Sequence, residues 1–151
     1  MASYTRDPLT QGKNLLIFEV AKRYVTNMLQ LDLRELQQGQ RIRILQVERK
    51  LRLELPIKEL DFPVYIGGLV DRVDQYGEVM RIIDYKTGKV EQRQVEVVDW
   101  EELNTDYDQY SKPFQILAYA TMILNETDHS GPVEAGIISF KNMKRGFLKF
   151  A

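Results

Sequence analysis

The chain contains no cysteine and only one histidine in 151 residues. Without cysteine there can be no disulfide and no iron–sulfur cluster. The lone His129 sits in Glu126-Thr-Asp-His-Ser-Gly131, which reads as an exposed connection and not as a metal-ligand setting. No run approaches the ~20 apolar residues of a membrane span, and no signal peptide opens the chain, so an intracellular, cytoplasmic protein is expected. A strongly basic balance is also missing. The formal charge is −1, so any positive surface must be local. Arg41, Arg43, Arg49, Lys50 and Arg52 form one candidate cluster, and Lys141, Lys144, Arg145 and Lys149 another. Solvated strand edges and loops are the alternative reading of both.

At 44% hydrophobic content, 151 residues can bury a substantial core but are too few for two ordinary domains, so one domain over 1–151 is predicted. After a short polar leader, Gly12 to Leu31 reads as a helix, with Ile17, Val20, Ala21, Tyr24 and Met28 on one face. Gln37-Gln-Gly-Gln40 breaks it. Ile42 to Leu55 alternates as a strand that Pro56 ends, and residues 64 to 86 read as a hairpin around Gln75-Tyr-Gly77-Glu. Lys89 to Tyr110, which includes the acidic Asp99-Trp-Glu-Glu102, reads as a long surface loop with room for one short helix. Pro113 is predicted to open a helix running to about Asn125, with Ser111 or Lys112 near its cap. Ala135 to Phe140 makes a last strand after Gly131-Pro132.

Chemistry concentrates in the hairpin. Gly68-Leu-Val-Asp71-Arg72 is followed, thirteen residues after its aspartate, by Asp84-Tyr-Lys86-Thr-Gly88. Val79 to Lys86 is rich in β-branched residues, and a period of two places Asp84 and Lys86 on one face with Ile82. If the hairpin is centred between Tyr76 and Gly77, Asp71 lies opposite Ile82 and Asp84 is its diagonal neighbour, within reach of one hydrated divalent ion. A one-residue slip in pairing would separate the aspartates onto opposite faces. Two carboxylates and an ammonium suit phosphodiester hydrolysis: the carboxylates hold a metal ion, and the lysine steadies water and phosphate charge. Lys86 is expected to be exposed enough that its removal changes stability by no more than ~1 kcal/mol. An Asp-x-Lys ending a strand is also, on its own, a common solvated edge.

Together with Gln115 and Tyr119, four apart on the later helix, these motifs resemble the PD-(D/E)xK nuclease superfamily, in particular its RecB/AddB-like nuclease domains. The resemblance covers roughly residues 42 to 140. It implies an α/β, restriction-endonuclease-like core, a mixed central β-sheet flanked by helices in the order αβββαβ. It further implies a Mg²⁺- or Mn²⁺-dependent deoxyribonuclease of DNA repair and recombination, exonucleolytic before endonucleolytic. Asp71, Asp84 and Lys86 would be catalytic, and the Tyr85 backbone carbonyl would complete the metal ligands of the two aspartates. Gln115, Tyr119 and Glu48 would support the site or its substrate. Gly68 would allow close backbone approach near the metal, and Gly88 would turn the chain out of the strand. DNA is the implied partner, beside helicase or helicase-like regions of this or another chain, with this stretch a domain cut from a longer protein. Some relatives carry the iron–sulfur cluster that this chain cannot.

Other readings remain. Tyr119 lies in the apolar run Ile116-Leu-Ala-Tyr-Ala and would also fill core, while Glu48 alternates with Lys50, Arg52 and Glu54 as a solvated edge would. RecB-like nucleases usually place a histidine ligand on an upstream helix, and the first helix here has none. Its possible substitute, Glu19, falls on the polar side. An inactive DNA-binding or scaffold module with the same fold, or an interaction domain docking through the acidic loop Asp99 to Asp108, would keep these sequence features too.

Overall fold

The computed structural model describes residues 12–103 and 105–151, so the polar leader lies outside it. Helix α1 (Gly12–Gln37) leads into strands β1 (Ile42–Leu55), β2 (Val64–Tyr76) and β3 (Val79–Lys86). Helix α2 (Tyr107–Glu126), strand β4 (Val133–Ser139) and strand β5 (Phe147–Lys149) follow, with 3₁₀ turns at Gln92–Gln94 and Phe140–Arg145. The five strands form one sheet in the order β1-β2-β3-β4-β5. All neighbours are antiparallel except β3 and β4, which the α2 crossover makes parallel.

One sheet face and α2 enclose the main core, where Val73, Met80 and Ile82 meet Tyr119, Met122 and Ile123. On the other face, Met28 and Leu31 of α1 pack on Ile83, Ile138 and Met143, and Tyr24 stacks on Phe140 with centroids 5.1 Å apart. Only this C-terminal half of α1 meets the sheet; Ile17 and Val20, on the predicted apolar face, stay exposed. The helix also runs past Leu31 to Gln37, because Asp32 and Glu35 find partners on β2 and nothing breaks the helix before Gly39, whose φ of 89° ends it.

Three further boundaries depart from expectation. Helix α2 starts at Tyr107 instead of near Pro113, since the Asp106 side chain accepts the Gln109 N–H at 3.0 Å and caps it, while buried Tyr110 anchors its first turn. Pro113 lies inside the helix, where its missing N–H leaves one carbonyl without its intrahelical donor. The stretch from Lys89 is not a surface loop throughout: Val90 and Val95 are buried against Ile116, Ile137 and Leu148. Finally, β5 adds an antiparallel edge strand beyond the αβββαβ order. Among the described residues, no helix is long and apolar enough to cross a membrane.

Candidate active site

The β2–β3 ladder runs from Tyr76↔Val79 to Arg72↔Ile83. Continuing that register by one step sets Asp71 across from Asp84, not from Ile82 as expected. The turn is centred one residue later, between Gly77 and Glu78, and Gly77 adopts the left-handed φ of 58° that the turn requires. Moving the centre by one residue shifts each pairing by two, so both aspartates keep one face. The ladder stops where they meet. There Asp71 Oδ2 accepts the Tyr85 N–H at 2.7 Å, taking the place of a strand partner. In an extended strand the N–H and C=O of one residue point the same way, so the Tyr85 carbonyl also faces β2, where pairing has ended.

Asp84 is only 5% exposed. Burial pushes its pKa up, the Lys86 ammonium opposes that shift, and the nearby Asp71 charge adds to it. Lys86 Nζ stands 2.9 Å from Asp84 Oδ2 and donates to Gln115 Oε1 at 2.7 Å. The Gln115 Nε2 in turn donates to the Tyr119 hydroxyl at 2.7 Å. Asp84, Lys86, Gln115 and Tyr119 thus form one polar line from β3 to α2. Lys86 is 29% exposed and doubly partnered, more enclosed than the exposed lysine expected from sequence. Tyr119 does both things open to it: its ring is buried in the main core and its hydroxyl ends this line. Gly68 makes room for that ring, since a Cβ there would lie 2.5 Å from Tyr119 Cε1. It thereby permits close helix–sheet packing. Gly88 does sit in the bend after β3, and its carbonyl accepts the Ser139 hydroxyl at 2.8 Å.

Glu48 falls between the pairs Val47↔Arg72 and Arg49↔Val70, across from Asp71. It is the one non-glycine residue with positive φ, 48°, among the described residues, a conformation costing ~1–3 kcal/mol that concentrates at functional sites. Its side chain is exposed. Glu19 and His129 stand apart: Glu19 pairs with Lys22 at 3.1 Å, and the His129 ring lies 3.4 Å from the Pro132 carbonyl. Of the basic clusters, Arg49 pairs with Glu126, Lys149 with Glu134, and Arg52 stacks on Tyr65.

Sequence reasoning missed a buried ionic network on the opposite face. Asp74, fully buried, accepts Arg72 Nε at 2.7 Å and Arg81 Nε at 2.8 Å. Arg72 Nη1 also donates to Asp32 of α1 at 2.6 Å. Burial works against the Arg72 charge, but Asp32, Tyr85 and Asp74 outweigh it and hold the guanidinium above its ordinary range. The Tyr76 hydroxyl donates to Glu35; burial, with Glu35, pushes its pKa up to about 12. The arginine beside Asp71 therefore clamps α1 to the sheet instead of entering the site. The missed signal was alternation, since Arg72, Asp74 and Tyr76 share one strand face and Asp32 and Glu35 one helix face.

The donor set suits a hard divalent cation. Asp84 Oδ2 is buried with the Lys86 ammonium 2.9 Å away, and Asp71 and the Tyr85 carbonyl add only oxygen. Among the described residues no three His, Cys, Asp or Glu side chains converge, so the protein would supply two carboxylates. The family model of the PD-(D/E)XK nuclease superfamily matches residues 6–149, and the chain belongs to that superfamily. Its mixed sheet between helices is the restriction-endonuclease-like α/β fold, and Asp84-Tyr85-Lys86 fits the (D/E)xK pattern of that name. No curated protein matches the chain.

Proposed function

For this member of the PD-(D/E)XK nuclease superfamily we propose Mg²⁺- or Mn²⁺-dependent hydrolysis of DNA phosphodiesters. The observation that carries the reading is the meeting of Asp71, half-buried, with the buried Asp84 beside the doubly anchored Lys86. Asp71, Asp84 and the Tyr85 carbonyl would hold the ion, which when bound polarises the phosphate and activates water. Lys86, held as an ammonium by Asp84 and Gln115, orients the attacking water and offsets charge on the phosphate oxygens. A lost donor of this type costs roughly 3–4 kcal/mol of transition-state stabilisation in other enzymes. Gln115 gives the ammonium a second anchor besides Asp84, and Tyr119 keeps Gln115 in place. Glu48, across from Asp71, supports the site from the neighbouring strand.

The motifs around Asp71, Asp84 and Gln115 resemble those of RecB/AddB-like domains, so we place the activity in a cytoplasmic helicase–nuclease of DNA repair or recombination, acting as an exonuclease. Cleavage of linear DNA in Mg²⁺ tests this, with covalently closed circles resisting. Lys86→Ala should lower the rate by at least two orders of magnitude. It should also lose about 1–3 kcal/mol of metal-free stability, because Asp84 is left without its cation, and recover much of that in Mn²⁺. Cleavage by Lys86→Ala at the wild-type rate would reject the mechanism. The two-carboxylate set favours a second reading, a DNA-binding module that does not cut; DNA binding without metal-dependent cleavage by the wild type would establish it.

A further inference from the structure

The cleft of about 510 Å³ that opens at Lys86 does not end at the reacting groups; it continues along α2 to its first turn. Tyr107, Phe114, Gln115 and Tyr119 of α2 line it, with Tyr107 and Phe114 seven residues apart, close to two whole turns, on one helix face. The lining includes two lysines, Lys86 and Lys112, and no carboxylate. Two of its aromatic rings are open to solvent: Tyr107 is 80% exposed and Phe114 48%. Core packing does not account for either, unlike Tyr119, which lines the same cleft. Seven residues apart, they are spaced about 10 Å along the helix axis, so each would meet a different nucleotide.

Resting on the nuclease reading above, we propose that this cleft is a track for single-stranded DNA, in which Phe114 and Tyr107 stack on unpaired bases while Lys112 and Lys86 follow the phosphates. Exposed ring faces beside cations are the chemistry that binds single strands without sequence preference. Duplex DNA keeps its base faces stacked on one another and would present only phosphates and groove edges to the same wall. Phe114 immediately precedes Gln115, whose side chain holds Lys86 at 2.7 Å. A base stacked on Phe114 therefore sets which phosphate stands over Lys86 and the aspartates, which makes Phe114 a positioning residue.

The test measures anisotropy of fluorescein-labelled oligo(dT), and of a blunt duplex of the same length, with the full chain in EDTA so that nothing is cut. Phe114→Ala and Tyr107→Ala should each weaken oligo(dT) binding by about 5- to 150-fold, the worth of one lost stack. Duplex affinity should stay within about twofold. Phe114→Trp should keep the affinity and Phe114→Leu, which retains apolar bulk and guards against misfolding, should lose it. Unchanged oligo(dT) affinity in both alanine variants, equal loss on duplex, or no oligo(dT) binding by the wild type would overturn the track. The first of these is also what rings reserved for a protein partner would give. Calorimetry with Mn²⁺ separates the two layers: Asp84-dependent metal binding with silent aromatic variants refutes the track alone. Aromatic-dependent strand binding with full cleavage by Lys86→Ala refutes the nuclease chemistry alone.

Discussion

Asp84→Asn gives the sharpest test of the metal assignment, because the site sets opposite demands on stability with and without the ion. In the metal-free protein Asp84 is 5% exposed, with the Lys86 ammonium 2.9 Å from its Oδ2. That arrangement is costly to fold, since burial disfavours the charged carboxylate, as the upward push on its pKa shows, and the Lys86 ammonium returns only part of the cost. Asparagine removes the buried charge, while Lys86, 29% exposed, keeps Gln115 as a partner. The metal-free variant should therefore melt at or above the wild type, by up to ~1 kcal/mol. Mn²⁺ should reverse the order. A ligand at tenfold its dissociation constant stabilises the native state by RT ln 11, about 1.4 kcal/mol, or roughly 3–6 °C for a chain of this size. Asp84→Asn, with one of two carboxylates gone, should show no measurable shift at the same concentration. Thermal melts followed by circular dichroism, with and without Mn²⁺ at neutral pH, read both effects. A Mn²⁺ shift in the variant equal to the wild type's would refute the assignment, and a metal-free loss above ~2 kcal/mol would make Asp84 a structural residue instead.

Two predictions concern the opposite face. Asp74→Ala should cost about 3–5 kcal/mol in urea unfolding, because Arg72 and Arg81 would be left buried without their shared carboxylate; a loss under ~1 kcal/mol would show that the network is dispensable. Tyr76 has a folded-state pKa of about 12, above its unfolded value of 10.0, so its contribution is complete below pH 10 and fades as pH rises through 12. Tyr76→Phe should flatten that alkaline loss, and an unaltered slope in urea titrations would dismiss the Glu35 contact as its cause.

Periodicity and local chemistry carried much of this molecule. The alternation of Leu51, Leu53 and Leu55, the β-branched run before Asp84, and the turn at Gly77 were enough to predict β1 and the β2–β3 hairpin, because strand period and turn conformation are local properties. The same alternation put Asp71, Asp84 and Lys86 on one face. Which residue stands across from Asp71 was not local: moving the turn centre by one residue changes the partner without changing the face, and only the folded pairing chose Asp84 over Ile82. The start of α2 was hidden too, since Pro113 reads as an opening residue until Asp106 caps the helix and Tyr110 is buried in its first turn. Val90 and Val95 looked like loop because their burial depends on Ile116, Ile137 and Leu148, residues distant along the chain. Sequence by itself determined strands β1 to β4, the shared face and the identity of the polar groups, all consequences of near-neighbour stereochemistry. Tertiary structure alone decided that Arg72 turns away to clamp α1 while Lys86 is held between Asp84 and Gln115, because those choices depend on which distant side chains burial brings within hydrogen-bond reach.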